Sequence, residues 1–400
     1  MSDRVASSVS IPLGPLSEKV EQMLRIALNG LSKMLDPEEK LFCFTVREKN
    51  GFRREGLSHR YSAVALLGLF RAWVAGWEIG IDPRPLGEAL LGRAGEVQDI
   101  GTLGLLMWMQ AELFGEVESR FLERLWELDP ERIYPGSEYR TTELAWLLLG
   151  LLQAVGVSAR EEWADLAHCT FSRLLQNYNE RTSLFSFSNR IPLRSRLGFF
   201  DGQAYGGLAL LRYGERFQKK EPIDWGLSVA RTICRLQGKG GEWAWHYNSK
   251  SGVVVEQFPV YTVHQDGMAP MLLREALRHG GEEFLDPLLL GLRWVTGENP
   301  FGTPMWDSEK GVIWRSVRRI FPLSKLIYLG KIISPYGSPP WSRSLDRLPY
   351  LEIDREDRPY HLGWSLYALS DQVPGNKKNN AGSLGKESNA RPIRGRRRLA

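Results

Sequence analysis

The sequence predicts an all-α fold, an (α/α)6 toroid in which six inner helices are wrapped by outer ones and short β-hairpins gather at one end. Two observations predict it. Apolar residues recur at three- and four-residue spacing along most of the 400 residues, the period of a helix with one buried face. Six of the periodic segments have almost no charged face, so each must be enclosed by other protein, and at least one amphipathic candidate lies between successive members.

In chain order, "SEKVEQMLRIALNGLSKML" at about 17–35 has a charged face and reads as outer. "RYSAVALLGLFRAWVAG" and "QDIGTLGLLMWMQAEL" are apolar nearly all round and rich in small residues, so both read as inner. An amphipathic stretch at about 116–128 precedes the inner "RTTELAWLLLGLLQAVG". The outer "AREEWADLAHCTFSRLLQN" at 159–177 comes before the inner "FFDGQAYGGLALLRYG". Outer candidates at 222–237 and 282–297 flank the inner "VHQDGMAPMLLREAL", and the inner "YHLGWSLYALSDQ" comes last. Spacing between inner segments runs from about 40 to nearly 100 residues, which makes this a structural repeat with insertions and not a clean sequence repeat. The insertions hold "LFSFSNRIPLRSR", "GEWAWHYNSKSGVVVEQF" and "TPMWDSEKGVIWRSV", whose turn residues between aromatic runs read as hairpins or extended loops.

Residues 1–16 read as a flexible N-terminus, 17–373 as a single toroid domain and 374–400 as a disordered basic tail. The tail holds eight basic side chains against Glu387 alone, so it accounts for more than the whole formal charge of +5. It is a solvated arm first and a contact for an anionic partner second; no nucleic-acid recognition motif accompanies it. Cys43, Cys169 and Cys234 show no CxxC spacing, which fits a reduced, cytoplasmic setting. No secretory signal pattern and no apolar run of membrane-spanning length occurs. No phosphate-binding Gly loop, dinucleotide fingerprint or paired His or Cys spacing is present, so neither a cofactor nor a metal is expected.

In a toroid of antiparallel helix pairs the inner helices all run one way, and their starts share one end. Those starts read Glu55, His59, Arg60 and Tyr61; Gln98 and Asp99; Thr142 and Glu143; Asp201, Gln203 and Tyr205; His264, Gln265 and Asp266; Tyr360 and His361. One polar residue per start is explained by capping, and Asp99, Thr142, Asp201 and Asp266 each have that reading. His264 beside Gln265, and a histidine at three of six starts, exceed it. A mouth of carboxylates, histidines and aromatic rings suits sugars, whose C–H faces stack on rings while their hydroxyls take fixed donors and acceptors. Asp201 and Asp266 form the leading acid–base pair, with His264 as an alternative proton-transfer group and Glu143 or Asp99 as substitutes. The expected ligand-lining set is His59, Arg60, Tyr61, Gln203, Tyr205, Trp243, Trp245, Tyr261, Gln265, Trp306 and His361. Trp243, Trp245 and Trp306 read equally well as packing beneath a loop.

The six-inner-helix plan resembles the toroid shared by terpenoid cyclases, protein prenyltransferases and six-hairpin glycosidases. Gln237, Gly241 and Trp243 match, once, the QxxxGxW motif that triterpene cyclases repeat. The acidic DxDD string of those cyclases is absent, the nearest being "DRED" at 354–357. More specifically, "EWAWHYNSKSGVVVEQFPVYTVHQDGMAPM", "LGFFDGQAYGGLAL" and "TTELAWLLLGL" resemble segments of bacterial proteins found with polysaccharide-biosynthesis genes, over most of residues 40–370. Some of those proteins are labelled delta-aminolevulinic acid dehydratase. That label implies a barrel of parallel strands, Schiff-base lysines and a Cys-rich metal site, and the sequence has neither the alternating strands nor the clustered cysteines. The resemblance implies a carbohydrate-active protein that hydrolyses, eliminates or epimerises at a bacterial polysaccharide or oligosaccharide. A non-catalytic glycan- or partner-binding toroid is the alternative, and an isoprenoid cyclase-like protein the second.

Overall fold

A computed structural model describes residues 9–128, 139–188, 194–320 and 350–375. The expected tail beyond residue 375 lies outside the described residues. Among them are twelve α-helices. The odd-numbered ones are outer: α1 (Ser17–Met34), α3 (Pro83–Gly92), α5 (Arg120–Glu127), α7 (Glu161–Leu175), α9 (Lys220–Arg235) and α11 (Leu285–Val295). The even-numbered ones are inner: α2 (His59–Val74), α4 (Ile100–Phe114), α6 (Thr141–Val157), α8 (Phe200–Arg216), α10 (Ala269–Arg278) and α12 (Pro359–Leu369). A π-helical turn, His264–Met268, leads directly into α10. The helix starts follow local chemistry: Ser58 caps α2 by accepting from the Tyr61 N–H, and Asp99 caps α4 through the Thr102 N–H at 2.8 Å.

Side-chain and backbone neighbours fix the direction of every inner helix. Arg60 meets Asp99 at the starts of α2 and α4, and Arg71 meets Glu112 at their ends. Gly101 lies beside Glu143 and Gly104 beside Leu147, so α4 and α6 advance together. Thr142 donates to Asp201 at the starts of α6 and α8, while Gly156 abuts Arg216 at their ends. Phe200 packs on His264 and Arg212 reaches Glu275, aligning α8 with α10. Asp266 meets His361 and Arg274 meets Asp371, aligning α10 with α12. Tyr360 packs on Tyr61 and Tyr367 meets Arg71, which closes the ring onto α2. Starts therefore meet starts and ends meet ends at all six seams, and the inner helices are parallel. The outer α9 runs the other way, with Ile223 against Gly214, Gly226 against Leu211 and Val229 against Gly207.

Two seams have helix backbones in direct contact. A Cβ on Gly68 would overlap the Gly363 backbone, and one on Gly150 would overlap that of Gly104. Only glycine permits this approach, which explains the small-residue richness of the inner segments.

The strands stand at the end where the inner helices begin, because several of them deliver the chain into an inner start. β3 (Arg54–Leu57), paired with β2 (Leu41–Arg47), leads into α2; β6 (Leu197–Phe199) runs into α8; β9 (Val260–Tyr261) precedes the π-turn; β14 (Glu356–Asp357) precedes α12. β1 (Leu35–Asp36) pairs with β2, β4 (Tyr178–Asn179) with β5 (Leu184–Phe185), β6 with β7 (His246–Asn248) and β7 with β8 (Val253–Glu256), while β9 and β13 (Leu351–Asp354) flank β12 (Ser316–Arg319). The expected hairpins at 241–258 and 303–317 are present, residues 189–193 of the third expected segment at 184–196 lie outside the described residues, and β2–β3 is an addition the sequence reading did not contain. Residues 1–8 of the expected N-terminal segment lie outside the described residues, and residues 9–16 are held against the body. Ile11, Leu13 and Leu16 are buried, and the Ile11 N–H donates to Gln372 at 2.6 Å. No described helix is long and apolar enough to cross a membrane.

Candidate active site

The parallel ring gathers six helix starts around one cup. Inner-helix residues are almost all buried, so the partly exposed ones near the starts mark its surface: Arg60, Tyr61, Thr142, Glu143, Trp146, Asp201 and Tyr360. Phe199, Trp245 and Tyr261 add partly exposed rings from the strands and loops above. Phe199 packs edge-on to Trp245 with centroids 6.0 Å apart, and Tyr261 lies 6.4 Å from Trp245 and 5.1 Å from His264. Arg315 sits over the Tyr261 ring, and Arg358 donates to the Tyr61 hydroxyl at 3.0 Å.

Asp201 lies in the first turn of α8. Its Oδ2 accepts from the Thr142 hydroxyl at 2.9 Å, and the Gly202 and Asp201 backbone N–H groups and, less strongly, the Arg140 charge also favour the anion. Burial raises the carboxyl above the ordinary carboxylate range, and the Thr142 bond offsets this only in part. One turn along, Tyr205 is 1% exposed, with the Trp146 and Trp364 indoles as its hydrogen-bonding neighbours. Burial, with the Asp201 charge beside it, pushes that phenol well up. His264 is 5% exposed, packs on Phe200 and has an unpartnered Nδ1. Burial pulls its pKa down to about 3, with nearby His361 adding to the effect, so the ring is neutral at neutral pH.

The other leading carboxylate has a different setting. Asp266 is fully buried in the α10–α12 seam, with both oxygens about the His361 Nε2 at 3.0 and 3.1 Å. Burial alone would lower the His361 pKa; the Asp266 charge and hydrogen bond outweigh it and raise it. Asp357, also fully buried, accepts from the Ile313 and Arg358 N–H groups, and burial holds it up at about 7. These three form a sealed cluster behind the cup wall.

Several expected lining residues also point elsewhere. Gln203 is buried and clamps Phe185 through its backbone N–H and carbonyl. Trp243 is fully buried beside Gly291, while Gln237 bonds the Gly241 and Pro287 carbonyls, so the QxxxGxW match is a structural clamp between α9 and α11. Gln265 is buried and donates to the Tyr261 carbonyl. Trp306 is 9% exposed in the β10–β11 hairpin (Trp306–Asp307 with Val312–Ile313), which packs on α1. His59 pairs with Glu96 at the outer rim, and Asp99 is engaged by Arg60 as well as by its own cap. Asp201, His264, Tyr205, Tyr261, Trp245, Tyr61 and Arg60 remain at the cup, with Glu143 on its rim. Trp146 and Phe199 were missed, although each lies within one turn of an expected start. Arg315 and Arg358 come from the residue before β12 and the residue after β14, and no local sequence pattern signals them.

Glu215, Glu275 and His279 converge at the opposite end of the barrel, but Arg278 already pairs with both glutamates. That guanidinium occupies the position a cation would take.

Neither a family model nor a curated protein matches the sequence. Solved structures do match the fold. The cellobiose 2-epimerase of Bacillus thermoamylovorans aligns with a TM-score of 0.64 at 11% identity over 90% of this chain and 100% of its own. A sugar epimerase from a ruminal bacterium gives 0.59 at 11% over 89% and 98%. An unsaturated glucuronyl hydrolase specific for heparin gives 0.58 at 13% over 89% and 96%. The likeness shows a shared (α/α)6 toroid fold.

Proposed function

We propose that the protein is a carbohydrate-active enzyme that hydrolyses, eliminates or epimerises at a sugar residue held in the cup, with Asp201 as its proton-transfer group. The observation that carries this is the Asp201 carboxyl itself. It is partly exposed where six helix starts converge among the described residues, it accepts from the Thr142 hydroxyl, and burial raises its pKa above the ordinary carboxylate value. Tyr261 and Trp245 offer ring faces for stacking, and neutral His264 offers a second hydrogen-bonding group. Asp266 and His361 support the wall from behind. An isoprenoid cyclase would need an apolar lumen, and here Trp108, Trp364 and Tyr205 fill it. The three free thiols fit a cytoplasmic location, and the fold likeness to sugar epimerases and a glucuronyl hydrolase agrees with a glycan substrate.

The test is Asp201→Asn, assayed on capsular and exopolysaccharide fragments by mass spectrometry and, for epimerisation, NMR. Loss of one acid–base group lowers turnover by about 10²- to 10⁴-fold. Undiminished turnover on a substrate the wild type converts would remove Asp201 from the chemistry.

A further inference from the structure

We infer that an open groove beside the cup is a second saccharide-binding site, which takes an acidic stretch of the same glycan chain that enters the cup; this rests on the reading of the cup as a carbohydrate site. The groove encloses about 860 Å³ between the end of β2, the β12–β13 hairpin and the loop after α11, within the range of about 300–1,000 Å³ usual for small-ligand sites. Strand register builds it. Arg318 stands opposite Glu352 and Glu356 opposite Arg47, so two sheets deliver rows of charge to its walls. The groove also borders the cup directly. Arg315, in its lining, lies over the Tyr261 ring, and Glu356 pairs with the Arg358 whose guanidinium donates to the Tyr61 hydroxyl at 3.0 Å.

The chemistry of the lining selects the ligand. In its ion pairs the carboxylate is the deeper partner: Glu48 is 29% exposed against Arg355 at 55%, Glu352 42% against Arg318 at 52%, and Glu356 6% against Arg47 at 30%. The acids therefore hold the guanidiniums in place from behind, and the surface a ligand meets is cationic. Lys49 adds an exposed ammonium that has no hydrogen-bond or ion-pair partner among the described residues. A guanidinium carries five N–H donors, so one fixed by an inner carboxylate keeps outward donors for a carboxylate on the ligand. Phe301 contributes a partly exposed ring to the same lining. A ring face beside fixed cations matches the C–H face and the charge of a uronic-acid residue. A simple oxyanion would use the cations and leave the ring without a partner.

The experiment measures binding by isothermal titration calorimetry on the full chain, with oligomers of galacturonate and of glucuronate, a neutral cello-oligosaccharide of matched length, inorganic phosphate and single-stranded DNA as probes. Lys49→Ala and Arg355→Ala alter exposed side chains, and thermal melts check that both variants fold as the wild type does. Each variant binds an acidic oligomer about tenfold more weakly, the loss of one charge-assisted contact. Lys49→Arg keeps the affinity, added salt weakens the wild-type complex, and the neutral oligosaccharide binds more weakly and alike to all variants. Equal affinity for acidic and neutral chains, or acidic binding that neither variant changes, would overturn the inference. So would absence of acidic binding, or phosphate or DNA bound more tightly than the uronate oligomers through the same two side chains. Asp201→Asn separates the two readings. Full turnover by that variant on a substrate the wild type converts, with the groove variants still losing affinity, would sink the acid–base reading and leave the groove; retained affinity in the groove variants with turnover lost in Asp201→Asn would do the reverse.

Discussion

Gly150→Ala tests the packing on which the cup depends. A methyl at Gly150 would lie within 2.8 Å of the Gly104 Cα and carbonyl carbon. These are backbone atoms of a neighbouring helix, so relief requires α4 and α6 to separate. Overpacking of a core costs about 1–3 kcal/mol, and a backbone-to-backbone clash belongs at the upper end. Better helix propensity returns about 0.5–1 kcal/mol. The net loss is about 2 kcal/mol. With an unfolding entropy of about 2.1 cal/mol/K per residue, a chain of this length then melts about 2–3 °C lower. Gly92, at the end of α3, has nothing within 4 Å of its ideal Cβ, so Gly92→Ala keeps only the propensity gain and melts at or slightly above wild type. Calorimetry and denaturant titration of both variants check the pair. A Gly150→Ala protein as stable as Gly92→Ala would mean the seam is looser than described, and the argument for a tightly drawn ring of helix starts would fail.

Asp266→Ala leaves His361 buried beside Asp357 without its principal counter-charge; removing one partner of a buried pair costs about 3–5 kcal/mol, so the melting temperature drops clearly. Asp201→Asn, at a partly exposed position with one hydroxyl partner, stays within a degree or two of wild type by the same measurement while losing turnover. Asp357 is held at about 7 in the folded protein, above its ordinary value. Its contribution to stability is therefore complete below the unfolded pKa of about 4 and fades as pH rises through about 7. Thermal melts of Asp357→Asn from pH 5 to pH 8 should show the largest deficit against wild type at the acid end and a shrinking one toward neutrality. A deficit that grew with pH would contradict the assigned burial.

Fold and cup were not equally legible. The six inner helices were readable because an uncharged helix can exist only inside protein, and that rule depends on composition alone. Their common direction followed from alternation with outer helices, and the six seams agree with it. What could not be read is which way each polar side chain turns at a helix start. Asp201 and Asp266 look alike in sequence, each in a Phe-Asp-Gly or Gln-Asp-Gly step at an inner start. The π-turn over His264–Met268 changes the phase of the fifth start, and Asp266 falls in the seam with α12 while Asp201 faces Thr142 and the cup. Gln203 was misread for a related reason: its amide serves the Phe185 backbone, a partner eighteen positions away that no helical periodicity announces.

The parallel ring also decides how the cup treats charge. Each inner helix presents the positive end of its dipole at the mouth, an effect of about 0.3–1 kcal/mol per helix that is confined to the first turn. Asp201 lies in the first turn of α8, where the dipole favours the carboxylate, yet its pKa is raised. Burial therefore outweighs the dipole even in the free protein. Under the proposed function, a sugar filling the cup would displace more water and strengthen that burial. The Thr142 hydroxyl and the helix start are both arranged to hold the anion once the proton has left. Under the proposed role of Asp201 as proton-transfer group, burial favours its protonated form, and the Thr142 hydroxyl and the helix start stabilise the anion left when the proton is given up. Replacing Thr142 by Val removes the hydroxyl and keeps the branched shape, so it should raise the Asp201 pKa and move the alkaline limb of the pH–rate profile upward; an unmoved limb would show that a different group supplies the proton.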